Sequence, residues 1–250
     1  MKTVLITGCS SGFGHETAQY FLERGWKVIA TMRTPKDDIF PRHQNLRVLA
    51  LDVTKEESIR KVIAEAGPID ALVNNAGIGL LNALEGVTVE SIRDVFETNT
   101  IGTIAMTQAV IPQFRAKKSG VVVNVTSTVT LKPLHLLAVY TASKAAVNAF
   151  TESVALELEP FNVRMRIVLP GLAPSTKFAE NAFAKMLPVP EAYMPTFEAV
   201  RAGLSAAGSP VTNARDVAEA VFVAVTEPSS PMKIPAGSDA VILAKTVGMA

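Results

Sequence analysis

The sequence predicts an α/β protein, a doubly wound and mainly parallel sheet flanked by helices, and three observations predict it. Six short runs rich in Val, Ile and Leu, at 3–7, 27–31, 46–53, 70–77, 120–127 and 163–171, read as strands. They are apolar throughout instead of alternating, which suits strands covered on both faces. Stretches of helix length lie between them, at 12–24, 55–65, 91–117 and 138–158. A glycine-rich turn, Gly8, Gly12 and Gly14 in "TGCSSGFG", joins the first strand to the first helix. A chain of 250 residues suits one large domain, and no internal repeat or linker interrupts it before residue 170.

The first strand, turn and helix bring backbone amides to a helix N-terminus, where a pyrophosphate can sit close to glycines that lack a Cβ. The spacing is G-x-x-x-G-x-G, which is neither the common dinucleotide fingerprint nor a phosphate loop ending in Gly-Lys-Ser/Thr. The second strand runs into "ATMRTP", with no carboxylate at 31–34 to bind a ribose 2′-hydroxyl; the first is Asp37, beyond a proline. Arg33 offers a bidentate donor to a 2′-phosphate there, favouring NADP(H) over NAD(H), unless it is a solvated surface arginine. The third strand ends in Asp52 and Val53, where the acid could receive an adenine amino group or cap the helix starting near residue 55.

In the fourth helical stretch the apolar positions Ala142, Ala145, Ala146, Ala149, Val154 and Leu158 recur at helical spacing, predicting a buried amphipathic helix. Tyr140 and Lys144 stand four apart near its start and share a face. A tyrosine of reference pKa ~10 is a poor acid–base group at neutral pH, and a neighbouring ammonium lowers that value. The pair can therefore trade a proton with an alcohol or carbonyl. Beyond Gly171 the composition shifts. Pro174, Pro188, Pro190 and Pro195 break the chain into short helical pieces carrying Phe178, Phe183, Met186, Leu187, Tyr193, Met194 and Phe197. This stretch is either a lid over an apolar pocket or a surface excursion. Residues 213–228 read as the final helix, with Asn213 as N-cap and Pro228 as the stop.

A formal charge of +1, from 24 basic and 23 acidic residues, argues against nucleic acid or a membrane surface as partner. One cysteine, Cys9, allows no internal disulfide, and no run of ~18 apolar residues suggests a membrane span, so a soluble cytoplasmic protein is expected. The histidines at 15, 43 and 135 have no metal-ligand spacing, so no metal is expected. His135 could line a substrate mouth or sit solvated in a loop, and His15 is structural or near phosphate.

Five motifs stand in order: Thr7-Gly8-Cys9-Ser10-Ser11-Gly12-Phe13-Gly14, Asn74-Asn75-Ala76-Gly77, Asn99 in "FETNTIG", Ser127 with Tyr140 and Lys144, and Pro170-Gly171. With them the chain resembles the short-chain dehydrogenase/reductase family from Thr3 to about Leu243. "TGCSSGFG", "ATMR" and "NNAGIGLLNALEG" are similar to its 17β-hydroxysteroid and retinol dehydrogenase branch, which includes many bacterial carbonyl reductases. The resemblance implies a single Rossmann domain, with 1–126 mainly cofactor-binding, 127–250 catalytic and substrate-binding, and a helical lid at about 172–205. It implies an NADPH-dependent carbonyl reductase or alcohol dehydrogenase acting on an apolar ketone or aldehyde.

The resemblance also assigns roles. Tyr140 is the general acid/base, Ser127 holds the substrate oxygen, and Lys144 orients the ribose and poises the tyrosine. The Asn99 amide holds a proton-relaying water. Cofactor contacts fall on Gly8, Ser10, Ser11, Gly12, Phe13, Gly14, Arg33, Asp52, Val53, Asn75, Ala76, Gly77, Tyr140, Lys144, Pro170, Gly171 and Ser175. Three departures stand out: Thr126 for a common serine, Phe13 for isoleucine, and Ser175 for threonine. A homodimer or homotetramer through 91–117 and 138–158 is implied. Two rival readings share the motifs. A 3-oxoacyl-(acyl-carrier-protein) reductase would need a basic patch, and Lys117-Lys118 is the one pair of adjacent lysines. A non-catalytic NADP-binding module would usually lack the tyrosine or the lysine.

Overall fold

The sheet in the computed structural model has seven parallel strands among the described residues, which are 1–36, 38–174, 176–184, 186–204 and 209–249. They are β1 (Thr3–Ile6), β2 (Lys27–Met32), β3 (Leu46–Ala50), β4 (Ala71–Asn74), β5 (Gly120–Val125), β6 (Val163–Pro170) and β7 (Lys233–Ala236). Their spatial order is β3-β2-β1-β4-β5-β6-β7. The order reverses beside β1, so a crevice opens between the carboxyl ends of β1 and β4, the place where such sheets take ligands.

Nine α-helices cover the sheet among the described residues: α1 (Gly12–Glu23), α2 (Glu56–Ala66), α3 (Val89–Phe96), α4 (Gly102–Lys117), α5 (Ala138–Leu158), α6 (Lys177–Ala184), α7 (Met194–Leu204), α8 (Ala214–Thr226) and α9 (Ser238–Thr246). Successive residues of a strand face opposite layers, which explains why the strands are apolar throughout. Val4 and Ile6 of β1 join Phe21, Val217 and Val221 on the α1–α8 side, while Leu5 joins Val110, Phe114 and Met165 on the other. The predicted doubly wound fold is present as one domain, and no helix among the described residues is long and apolar enough to cross a membrane.

Three expectations need correction. The helix at 213–228 is not the last element, because β7 and α9 follow it. β7 is a half-buried edge strand containing Pro235, which an edge tolerates and a sequence pattern hides. The single helix expected at 91–117 is α3 and α4 separated by one π-helical turn, Glu97–Ile101. In α5 the buried stripe is not the alanine one: Val139, Tyr140, Ser143, Lys144, Val147, Asn148, Thr151 and Leu158 face inward. Ala142, Ala145 and Ala149 are exposed, so hydrogen-bonding side chains and not methyl groups line the inner face. At Asn213 the predicted cap holds: the Asp216 carboxylate accepts its backbone N–H at 2.8 Å, and α8 stops before Pro228.

Candidate active site

The turn after β1 depends on two glycines. Gly8 has φ +73°, and a Cβ there would lie 2.8 Å from the Ala76 Cα. At Gly14 a Cβ would fall 2.4 Å from both the Gly8 carbonyl oxygen and Asn75 Nδ2. That close approach is possible because Asn75 follows β4, the neighbour of β1, and donates to the Thr7 and Gly8 carbonyls at 2.9 and 3.1 Å. Thr7 Oγ1 in turn accepts the backbone N–H groups of Asn75 and Ala76, each at 3.0 Å. The two motifs thus form one hydrogen-bonded unit at the crevice.

Ser11 caps α1 without a side-chain hydrogen bond, and no acidic residue occupies the first turn. The helix therefore presents amides and a positive dipole end, which fits a pyrophosphate. Ser10 is exposed on this turn, and Phe13 is half-buried against the α1–α8 core. His15 accepts its structural role, with Nε2 3.0 Å from the Ile39 carbonyl and its ring stacked 4.6 Å from Phe40. Cys9 is fully buried, and that burial pushes its thiol up to about 12, so it is no nucleophile.

Arg33 is exposed directly after β2. Burial works to raise Asp52, but hydrogen bonds from the Thr54 N–H and hydroxyl, and the Arg33 charge, hold its carboxyl below the usual range. Asp52 Oδ1 accepts both Thr54 groups, at 3.0 and 2.8 Å, so it organises the turn ahead of α2. Val53 packs against the start of α4, where a Cβ at Gly102 would lie 2.8 Å from its Cγ2.

Asn99 lies in the π-helical turn, where the looser ladder turns its side chain inward. Nδ2 donates to the Ile78 carbonyl at 2.9 Å and Ser143 Oγ at 3.1 Å, and Oδ1 accepts the Ile78 N–H at 2.8 Å. Both amide donors are spent on protein partners. Asn99 thereby pins the chain just after Gly77. A Cβ at Gly77 would lie 3.2 Å from Asn99 Oδ1 and 3.3 Å from Lys144 Nζ, so its absence lets both groups reach the crevice.

Ser127 follows β5 and caps a short turn, its Oγ accepting the Val129 N–H at 3.3 Å. Its hydroxyl lies close enough to the Tyr140 phenol to lower that group's pKa. Both side chains are buried, Ser127 at 8 % and Tyr140 at 7 % exposure. Burial pushes Tyr140 well above the ordinary tyrosine value, and Ser127 pulls it back in part. The expected lowering of Tyr140 by Lys144 is therefore corrected: in this arrangement the group that lowers it is Ser127. Lys144 Nζ sits 5.9 Å from the tyrosine ring centroid and donates to the Val125 carbonyl at 3.0 Å. Burial lowers Lys144 itself to about 8.

Pro170 ends β6, and Gly171 begins the turn past it. The Gly171 N–H donates to Thr212 Oγ1 at 2.9 Å and the Leu172 N–H to Asp239 Oδ2 at 2.7 Å. Thr212 and Asp239, unseen in the sequence, thereby hold this turn. Ser175 lies outside the described residues, whereas Thr176 beside it is buried with its side chain facing Gly12. Over the mouth, Phe178 of α6 stands with its ring 5.7 Å from that of Tyr140. His135 is exposed.

The chain is similar to known oxidoreductases in sequence and in fold. The 3-ketodihydrosphingosine reductase of Bacteroides thetaiotaomicron is 39% identical over 184 residues, 72% of this chain and 66% of that protein. Retinol dehydrogenase 8 of Bos taurus is 37% identical over 184 residues, 68% of this chain and 58% of that protein. The aligned regions thus span about three-fifths to two-thirds of those relatives. A crystal structure of a short-chain dehydrogenase from Streptomyces avermitilis superposes with a TM-score of 0.85 at 30% identity, covering 98% of this chain and 91% of that one. The closed form of a serine dehydrogenase complexed with NADP+ gives 0.81 at 29% identity, covering 95% of both chains. With residues 2–187 matching the short chain dehydrogenase family, the chain belongs to that family of oxidoreductases.

Proposed function

We propose that the protein is an NADPH-dependent carbonyl reductase, reversible as an alcohol dehydrogenase, acting on an apolar ketone or aldehyde. The observation that carries this reading is the buried Tyr140 phenol with the buried Ser127 beside it and Lys144 one helical turn away. NADPH, when bound, supplies the hydride. Ser127 holds the substrate oxygen through its hydroxyl, and Tyr140 delivers a proton to that oxygen as negative charge develops there. Lys144 would offer its ammonium to the cofactor ribose. Asn99 and Gly77 keep the space around Lys144 open. Thr212 and Asp239 fix the backbone beside the nicotinamide.

Arg33 supports the NADP preference, since it follows β2 and its charge reaches Asp52 at the end of the neighbouring strand. The apolar substrate is supported by Phe178 over Tyr140 and by the lipid-like names of the two curated relatives. The deciding experiment follows cofactor consumption across ketones graded from acetoacetate esters through acetophenones to steroid ketones, each with NADPH and NADH, with Tyr140→Phe as control. Turnover with NADPH that disappears in Tyr140→Phe supports the reading. NADPH binding without turnover on any ketone would reject it in favour of a binding module or a carrier-protein substrate.

We also read the protein as a homo-oligomer joined through α4 and α5, where Ile101, Leu156 and the outward alanines of α5 remain exposed. Gel filtration at the 26.6 kDa monomer mass would refute this.

A further inference from the structure

Asn82 lies in the loop after β4, within the "NNAGIGLLNALEG" stretch but with no role assigned above, and it is buried to 4 % exposure. A buried amide must find partners, and this one finds them on two other segments. Its Nδ2 donates to the Leu187 carbonyl at 3.0 Å, with the Pro188 and Gly86 carbonyls at 3.4 and 3.5 Å. Its Oδ1 accepts the Ala83 N–H at 2.7 Å, and its own N–H donates to the Leu136 carbonyl at 2.9 Å. The sequence explains why the partners need it. Leu187 lies in "LPVP", where Pro188 and Pro190 bring no N–H and prevent a helix that would pair these carbonyls. Leu136 is held at φ +63°, a conformation costly for a branched side chain, and the Asn82 N–H binds its carbonyl there.

The loop that holds Asn82 also reaches the residue packed against Tyr140. It contains Gly79, where a Cβ would lie 3.0 Å from both the Phe178 ring and Ala182. Phe178 in turn faces Tyr140. At the far end of the joint, a Cβ at Gly86 would lie 2.8 Å from Pro190 Cδ, and the Tyr193 hydroxyl is 3.4 Å from Glu85 Oε2 on the surface. Among these ties Asn82 is the buried polar one. We propose that Asn82 is a positioning residue whose side chain fastens the 186–190 segment beside the substrate mouth. It thereby sets ketone affinity without touching cofactor or the reacting atoms. Its kinetic consequence rests on the carbonyl-reductase reading; its structural consequence does not.

The test compares wild type with Asn82→Ala and Asn82→Asp, using acetophenone as substrate, NADPH binding by fluorescence, and amide hydrogen exchange. Asn82→Asp keeps the acceptor for Ala83 and loses the donors. We expect acetophenone KM to rise about tenfold in both variants, the size of a lost buried hydrogen bond, with kcat and the NADPH Kd unchanged. In Asn82→Asp, KM should fall back as pH drops towards the carboxyl range, because a protonated acid regains one donor, while Asn82→Ala stays flat. Exchange should quicken in 186–193 and not in β4 or β5.

Unchanged exchange in 186–193 overturns the proposal whether or not acetophenone is turned over. So does a loss of NADPH affinity in step with KM, which would mark general destabilisation. Failure of turnover in wild type itself counts against the reductase reading alone. Should neither Asn82 variant fold, Gly86→Ala strains the same joint, since its Cβ would lie 2.8 Å from Pro190 Cδ and 3.0 Å from Asn82 Oδ1. It should give the same exchange and KM pattern, and wild-type behaviour there overturns the proposal.

Discussion

Lys144 comes within 5.9 Å of the Tyr140 ring centroid, yet it directs its ammonium to the carbonyl of Val125. The residue that engages the phenol is Ser127. Tyrosine and serine therefore stand together at the point where a substrate oxygen would enter, and the lysine stands behind them. Removing the phenolic hydroxyl should leave the fold and the glycine turn intact. We expect Tyr140→Phe to lose about 100- to 10,000-fold in kcat, the usual worth of general acid–base catalysis, with an unchanged NADPH Kd. Steady-state kinetics beside a fluorescence titration check both halves. A variant that keeps wild-type kcat would remove Tyr140 from the chemistry.

The buried ammonium has a consequence for stability. Lys144 falls from 10.5 to about 8 on burial, so between those values the unfolded chain holds a proton that the folded chain has released. Stability then rises with pH across that window. Cys9 has the opposite sign. Burial raises it from 9.0 to about 12, so the folded chain keeps a proton that the unfolded chain sheds, and stability falls as pH climbs above 9.0. The two together raise stability from about pH 8 to 9.0, nearly cancel from there to 10.5, and lower it above that. Lys144→Met should abolish the rise above pH 8, and at pH 7 should be more stable than wild type by on the order of 1–3 kcal/mol while inactive. Urea titrations from pH 7 to 10 measure this, and parallel profiles for the two proteins would contradict it.

Arg33 reaches far enough for its charge to depress Asp52, and its own side chain is exposed after β2. A charge-assisted hydrogen bond to a 2′-phosphate contributes about 1.5–3 kcal/mol, or roughly 10- to 100-fold in affinity. Arg33→Ala should therefore raise the KM for NADPH by that factor and leave the KM for NADH alone. Equal effects on both cofactors would assign Arg33 to the shape of the turn and not to the phosphate.

What was legible in the sequence is local. Tyr140 and Lys144 are one helical turn apart, and Gly8 to Gly14 form one turn between a strand and a helix, so their spacing alone brings them together. The strands were legible because burial on both faces leaves an unbroken apolar run. The contacts that were not legible join distant positions. Thr212 meets Gly171 across 41 residues, and Asp239 meets Leu172 across 67. Asn82 meets Leu187 across 105. A threonine, an aspartate or an asparagine in a loop carries no periodic signal, and its partner is a backbone group whose position depends on the finished sheet. The alanine stripe of α5 misled for a related reason. The interior around Lys144 needs hydrogen bonds to Val125, Asn99 and Thr130, so the polar side of the helix is the buried one.

The same reasoning predicts an effect far from any motif. Thr212 is fully buried, and its hydroxyl accepts the Gly171 N–H at 2.9 Å while lying 2.8 Å from the Ala236 carbonyl and 2.7 Å from Asp239 Oδ1. Valine has nearly the same volume but no hydroxyl, so Thr212→Val would leave the Gly171 N–H and one acceptor buried without partners. Each such group costs about 1–3 kcal/mol, and we expect a loss of about 2–4 kcal/mol in urea denaturation. Serine keeps the hydroxyl and loses one methyl group, so Thr212→Ser should cost only about 1 kcal/mol. The contrast separates hydrogen bonding from packing. Because Asp239 also holds Leu172, the turn past Pro170 should shift in Thr212→Val and weaken NADPH binding in the protein that remains folded. Equal stabilities for the valine and serine variants would show that the hydroxyl does not hold this turn.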